Sequence, residues 1–385
     1  MEIIHAHIKT MDGHEYQDGF VSFENGVITA VGPMSDAPAC PEALDASGRL
    51  LLPGFIDAHC HIGMWEDGLG FEGDDGNEET DPVTPQLRAI DAVNPFDRCF
   101  REAAEAGITT VVTGPGSANP IGGEWLAMKT AGIRIDDMAI KAPAGMKFAL
   151  GENPKSSYNA KNQTPVTRMA TAALIREQLA KALRYMEDKE RAAVDEDFDQ
   201  PDYDIKCEAL IPVLRREIKA FFHAHRADDI CTAIRIAKEF DLDYVLIHCT
   251  EGSMIPEILK KENAAIIIGP VICDRSKPEL RNLSPQLGSI LHKNGLSFAI
   301  CTDHPVIPVQ YLALSGMIAS AEGLAREEAL CAITCNAAKA CGIFDRVGSI
   351  TPGKDADFLL FDSNPLSGYV KPSAVFIGGI RIGQR

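Results

Sequence analysis

Apolar and polar positions change texture twice along the chain. Residues 1–50 read as short strands joined by turns, and within 19–32 an Asn25-Gly26 pair separates two apolar runs, a hairpin signal. The same texture returns at 356–362 and 374–379. Between these ends, β-branched apolar runs alternate with stretches of helical periodicity. The pattern predicts strands at 52–56, 107–113, 138–141, 146–150, 220–225, 244–248, 265–268 and 297–302. Helices are expected at 96–106, 121–130, 168–190, 228–240, 253–261 and 326–341. Alternation of this kind implies a parallel sheet, and a strand count near eight points to an α/β protein built on a (β/α)8 barrel. The acidic 187–204 stretch reads as a solvated helix end and loop.

Composition narrows the function without naming it. With 45% apolar residues among 385, the chain supports a large core. A formal net charge of −18 argues against nucleic acid and against anionic membranes as partners. No secretory signal is visible after Met1, and the apolar run at 264–268 meets Gly269-Pro270 far too early to span a bilayer. Eleven scattered cysteines without a CxxC pair read as reduced thiols of a cytoplasmic protein.

The chemistry-bearing residues sit where predicted strands end. In Leu52-Pro53-Gly54-Phe55-Ile56-Asp57-Ala58-His59-Cys60-His61, the alternation of a strand turns His59 and His61 one way and Cys60 the other. Two imidazoles converging from one strand end can chelate a borderline metal ion. His5 and His7 repeat the spacing without that context and read as surface or turn residues. Three further strand ends carry metal-capable groups: His223 and His225 after Phe221-Phe222, His248 after Val245-Leu246-Ile247, and Asp303 after Ile300-Cys301-Thr302. In a (β/α)8 barrel all such ends share the face where active sites are built.

The first-strand segment 52–61, the run Gly107-Ile108-Thr109-Thr110-Val111 and the ending Val347-Gly348-Ser349-Ile350-Thr351-Pro352-Gly353-Lys354-Asp355-Ala356-Asp357 together resemble the amidohydrolase superfamily, closest to its imidazolonepropionase-related and prolidase-like members. The resemblance implies a small β-sandwich formed by 1–50 and 350–385 beside a catalytic barrel of 51–349, and a homo-oligomer. It implies that His59, His61 and Asp303 bind the more buried metal, and that His225 and His248 bind a second when one is present. His225 is preferred to His223 because Asp228 lies three positions on, where deaminating relatives carry a glutamate; His223 is left as a supporting or core histidine. Lys147, carboxylated, is the candidate bridging ligand, with Lys141 and Glu152 as rivals. Zinc suits this ligand set best, with iron, manganese or cobalt as alternatives.

The expected reaction is hydrolysis of a C–N bond in a dipeptide, N-acyl amino acid or cyclic amide by metal-activated hydroxide, with Asp303 carrying the proton. An aminohydrolase acting on a purine- or pyrimidine-like ring and a catalytically silent binding module are the alternatives. Trp65, His223, Arg226 and Arg275 are candidate substrate contacts. The 65–81 segment reads as a solvated loop or a lid.

Overall fold

The computed structural model describes residues 1–68 and 70–383. Its central sheet runs in chain order: β1 Phe55–Cys60, β2 Ile108–Thr113, β3 Ile121–Lys129, β4 Ala139–Ala149, β5 Lys219–Ala224, β6 Tyr244–His248, β7 Ala265–Ile268 and β8 Ala299–Ile300. It curls into a nearly closed eight-stranded barrel, so the α/β barrel expectation holds. β5 through β8 pair in parallel, as do β4 with β5 and β1 with β2.

Two expectations are corrected around β3. Residues 121–130 are a strand, not a helix, and run antiparallel to both neighbours. Gly122 and Gly123 weaken helix propensity at its start. The run is also buried at almost every position, which suits a strand covered on both faces better than an amphipathic surface helix. The two strands expected at 138–141 and 146–150 are one, β4. Between them the β3–β4 register shifts, from Trp125 opposite Gly145 to Ala127 opposite Lys141, and Pro143, which has no N–H to donate, falls in that irregularity. The expected helix at 326–341 is two, Arg326–Ala332 and Cys335–Ala340.

β8 is only two residues long, so side chains share in closing the barrel. The Thr302 amide donates to Asp57 Oδ1 at 3.1 Å, and the Thr302 hydroxyl donates to the same buried carboxylate. Above that contact, the Asp303 amide donates to the His59 carbonyl at 3.1 Å and the His61 amide to the His304 carbonyl at 2.9 Å. Val112, Phe221, Val245, Ile267 and Cys301 pack together beneath the strand ends. Cys60 and Cys249 belong to the separate cluster that holds the surrounding helices, as their alternation requires.

The terminal segments form one further sheet. Its strand order is 380–382, 374–377, 358–361, 50–53, 2–9, 15–24, 27–33, with 44–45 also paired to 2–9. Asn25 and Gly26 both take positive φ, 51° and 80°, as the tight hairpin turn requires. Leu50–Pro53 runs into β1 through Gly54, where a Cβ would stand 2.0 Å from the Thr109 hydroxyl oxygen; only glycine fits. Among the described residues, no helix is long and apolar enough to cross a membrane.

Thr302→Val removes the hydroxyl that bonds Asp57 and keeps the side-chain shape. The expected cost is about 2 kcal/mol, the scale of a buried hydrogen bond to a carboxylate, read as a lower urea midpoint.

Candidate metal centre

Strand ends at the barrel mouth bring two sets of ligating atoms together. In the first, Asp303 Oδ1 lies 3.3 Å from Nε2 of both His59 and His61. The second gathers His223, His225 and His248, and within each set the ligating atoms lie within 4.8 Å of one another. Regular pleating of β1 and β5 puts residues i and i+2 on one face, which is why each strand supplies a pair. His248, Cys249 and Asp303 hold positive φ of 73°, 46° and 56°. Such backbone strain in non-glycine residues clusters at functional sites.

Most of these imidazoles are fixed from behind. His61 Nδ1 donates to the Gly114 carbonyl and His248 Nδ1 to the Gly269 carbonyl, both at 2.7 Å, leaving their Nε2 lone pairs toward the centre. His225 Nδ1 lies 2.7 Å from the Thr250 hydroxyl and His223 Nδ1 2.9 Å from the Ser117 hydroxyl. His59 differs: neither ring nitrogen makes a hydrogen bond, and the ring stacks on Trp125 with centroids 4.4 Å apart.

Lys147 is fully buried, with its Nζ unpaired and 4.9 Å above the Trp125 ring. Burial pushes its amine down to about 7. Its charge acts on His59 in one set and on His223 and His248 in the other, so it lies within electrostatic reach of both. Burial also pushes His59, His223 and His225 well below the usual imidazole range, with Lys147 reinforcing it at His59 and His248 at the other two. For Asp303 burial opposes ionisation, but His248, His59 and His61 outweigh it and hold the carboxyl well below the usual carboxylate range. Neutral imidazoles, an ionised carboxylate and orphaned buried nitrogens are the donor set a divalent ion requires.

Other predicted residues fall elsewhere. His223, expected to support or fill, stands beside His225 within the second set. Asp228, the reason for preferring His225, pairs instead with the Arg226 guanidinium at 2.8 Å. Arg275 donates to the Leu283 carbonyl at 2.7 Å. Neither arginine lines the cavity at the barrel mouth, whereas Trp65 and His223 do. Lys141 lies six residues before Lys147, about 20 Å away along β4. Glu152 spends a carboxylate oxygen on the Glu279 amide at 3.1 Å.

The cavity holds about 520 Å³ and reaches both sets through His61, Asp303, His223, His225 and His248. The 65–81 segment closes one side of it: Trp65 meets His61 edge-on at 4.8 Å, and Asn77 Oδ1 accepts from the Ala118 amide at 3.1 Å. Glu279 escaped the sequence reading. It is fully buried, with Oε1 3.8 Å from Nε2 of both His223 and His225 and 2.8 Å from Lys277 Nζ. Burial opposes its charge, yet His225 and Lys277 hold its carboxyl below the usual range. It sits in a loop after β7 with no strand pattern around it, so no local signal marked it.

The chain as a whole has counterparts among known proteins. The Amidohydrolase family model matches residues 50–381, and the chain belongs to that family. It is 31% identical to amidohydrolase tasK of Hapsidospora irregularis over 94% of this chain and 39% of that protein. With an adenine deaminase of Bacillus pumilus the identity is 25% over 99% of this chain and 58% of that enzyme. The chain thus spans less than two thirds of either relative. A crystal structure of an amidohydrolase from Thermotoga maritima matches with 39% identity and a TM-score of 0.94, covering 100% of both chains. The family is metal-dependent, and the two histidine sets are the candidate sites for its ions here.

His248 sets the sign of a pH dependence. In the unfolded chain an imidazole takes up its proton near 6.5, whereas burial delays this to about 4 in the folded protein. Unfolding therefore binds a proton between those values, and stability falls as the pH is lowered from about 6.5 toward 4. Urea titrations of chelator-treated protein are expected to show that decline, and His248→Asn to flatten it.

Proposed function

We propose that this protein is a metal-dependent hydrolase that cleaves a C–N bond of a small amide: a dipeptide, N-acyl amino acid or cyclic amide. The observation that carries the reading is the pair of ligand sets facing one cavity, with a buried, unpaired Lys147 within electrostatic reach of both. His59, His61 and Asp303 would hold one ion, His225 and His248 with His223 beside them a second, and a carboxylated Lys147 would bridge. Zinc is the ion this mixed nitrogen and oxygen set suits best. Bound there, a divalent ion acidifies water and polarises a carbonyl.

The chain's own residues supply the rest. Asp303 is ionised and fixed by its strained backbone at the cavity floor, where it accepts a proton from the attacking water and delivers it to the leaving nitrogen. The Nδ1 anchors keep the imidazoles from turning away. Trp65 and the 65–81 segment narrow the entrance, and a cavity of about 520 Å³ suits a small molecule. The same reading takes the terminal sheet, wrapped on Ile3, Val21, Phe23, Phe358 and Phe376, as a small β-sandwich of 1–50 and 350–385 beside a barrel of 51–349. Eleven unpaired thiols support a cytoplasmic setting.

A second reading, release of ammonia from a purine- or pyrimidine-like ring, is favoured by the adenine deaminase relative that aligns with nearly the whole chain. Against it, Asp228, at the position of the expected proton shuttle, is engaged by Arg226 and does not line the cavity.

A zinc-loaded enzyme tested on dipeptides, N-acyl amino acids and cyclic amides is expected to liberate the amine product. Ammonia release from purine and pyrimidine rings, with no amide cleaved, would transfer the function to the second reading. Asp303→Asn is expected to lower kcat by at least about 100-fold, the usual scale for a positioned acid–base group. Full turnover with the ion still bound would remove Asp303 from proton transfer.

A further inference from the structure

Three unpaired polar groups meet on one side of the candidate metal centre. Lys147 Nζ, both ring nitrogens of His59 and the indole Nε1 of Trp125 are all buried, and none has a hydrogen-bond partner. Trp125 is the piece that connects them. Its ring stacks on His59 with centroids 4.4 Å apart and planes within 10°, meets His61 edge-on at 5.6 Å, and lies 4.9 Å below the Lys147 amine. The antiparallel course of β3 puts it there: Trp125 pairs with Gly145 and Gly123 with Lys147. A glycine clears the space around the indole: a Cβ on Gly114 would stand 2.4 Å from it.

Among the described residues nothing accepts the indole N–H, although buried donors are almost always paired. We propose that the acceptor is a carboxyl group carried on Lys147, so that Trp125 is a positioning residue holding the bridging ligand through its N–H. The proposal rests on the reading of Lys147 as a carboxylated lysine given above. The group forms when the Nζ lone pair bonds to the carbon of CO2. One C=O electron pair moves onto oxygen, and Nζ gives a proton to solvent. Each oxygen then carries two lone pairs. One on each oxygen would remain free to ligate ions held by the two sets, and another would receive the indole N–H. The stack on His59 fixes the ring, so the N–H has a set direction.

The test follows zinc uptake across a bicarbonate series in CO2-depleted buffer. Wild type, Trp125→Phe and Lys147→Ala are compared after chelator stripping, with stoichiometry read by elemental analysis. Phenylalanine keeps a stacking ring and loses the N–H together with the second ring of the indole. Wild type is expected to need bicarbonate for its second zinc, Lys147→Ala to ignore it, and Trp125→Phe to need about tenfold more, as for one lost hydrogen bond to a charged group. In the Trp65→Phe background Trp125 is the single remaining tryptophan, and its emission is expected to change with zinc only when bicarbonate is present. A Trp125→Phe curve that coincides with wild type overturns the role of Trp125 and leaves Lys147 as the ligand. Wild-type uptake that is independent of bicarbonate overturns the carboxylated-lysine reading itself, and the proposal with it.

Discussion

Burial of ionisable groups in one place is the constraint on which this structure turns. Five imidazoles and a lysine amine are removed from water, beside a half-buried carboxylate, at the mouth of a single barrel. The desolvation of each would be prohibitive without partners. Four of the imidazoles find one behind them, in Gly114, Ser117, Thr250 and Gly269, and those partners lie in the loops or loop edges that follow strands. Loop conformation and ligand orientation are therefore one problem: moving Gly269 turns His248, and moving Gly114 turns His61. Among the described residues, His59 has only the 3.3 Å approach of Asp303 and Lys147 has no hydrogen-bond partner, and the fold bears that cost where an added ion would relieve it.

The barrel is asymmetric for a related reason. On one side, β4 to β8 run in parallel, and β5 and β6 deliver histidines at their ends. On the other, β3 reverses direction and carries a tryptophan where a regular crossover helix would have lain outside the barrel. The reversal places an aromatic floor under His59 and Lys147 instead of another layer of aliphatic packing. Closure at β8 is similarly economical. Two residues of strand are supplemented by the Asp57 carboxylate, which accepts from Thr302 directly beneath His59 and Asp303. The contact that completes the barrel thus also sets the height of the first ligand set.

Much of this was legible beforehand because it is local. The His59–His61 pair followed from the two-residue period of a strand, and the Asn25-Gly26 turn from the demand for positive φ at both positions. The decoy pair was separable too: His5 and His7 face Asp18 and Glu15 at the surface. Where the reading slipped, the deciding contact was distant in sequence. Residues 121–129 had periodicity compatible with a helix until β2 and β4 claimed their backbone. His223 was ranked below His225 on the evidence of Asp228, a residue that turns outward to Arg226. Glu279 carried no local mark at all, since its importance comes from a loop folding back onto β5.

The sequence by itself determined which side chains stand at the ends of buried strands, because alternation and apolar runs are properties of neighbouring residues. It determined the class of fold for the same reason. Only the tertiary structure decided that two ligand sets share one cavity, that Lys147 is buried over Trp125, and that the two arginines point elsewhere. Those outcomes depend on strand direction, barrel curvature and the desolvation of groups far apart in the chain, and none of these is written in any short stretch of residues.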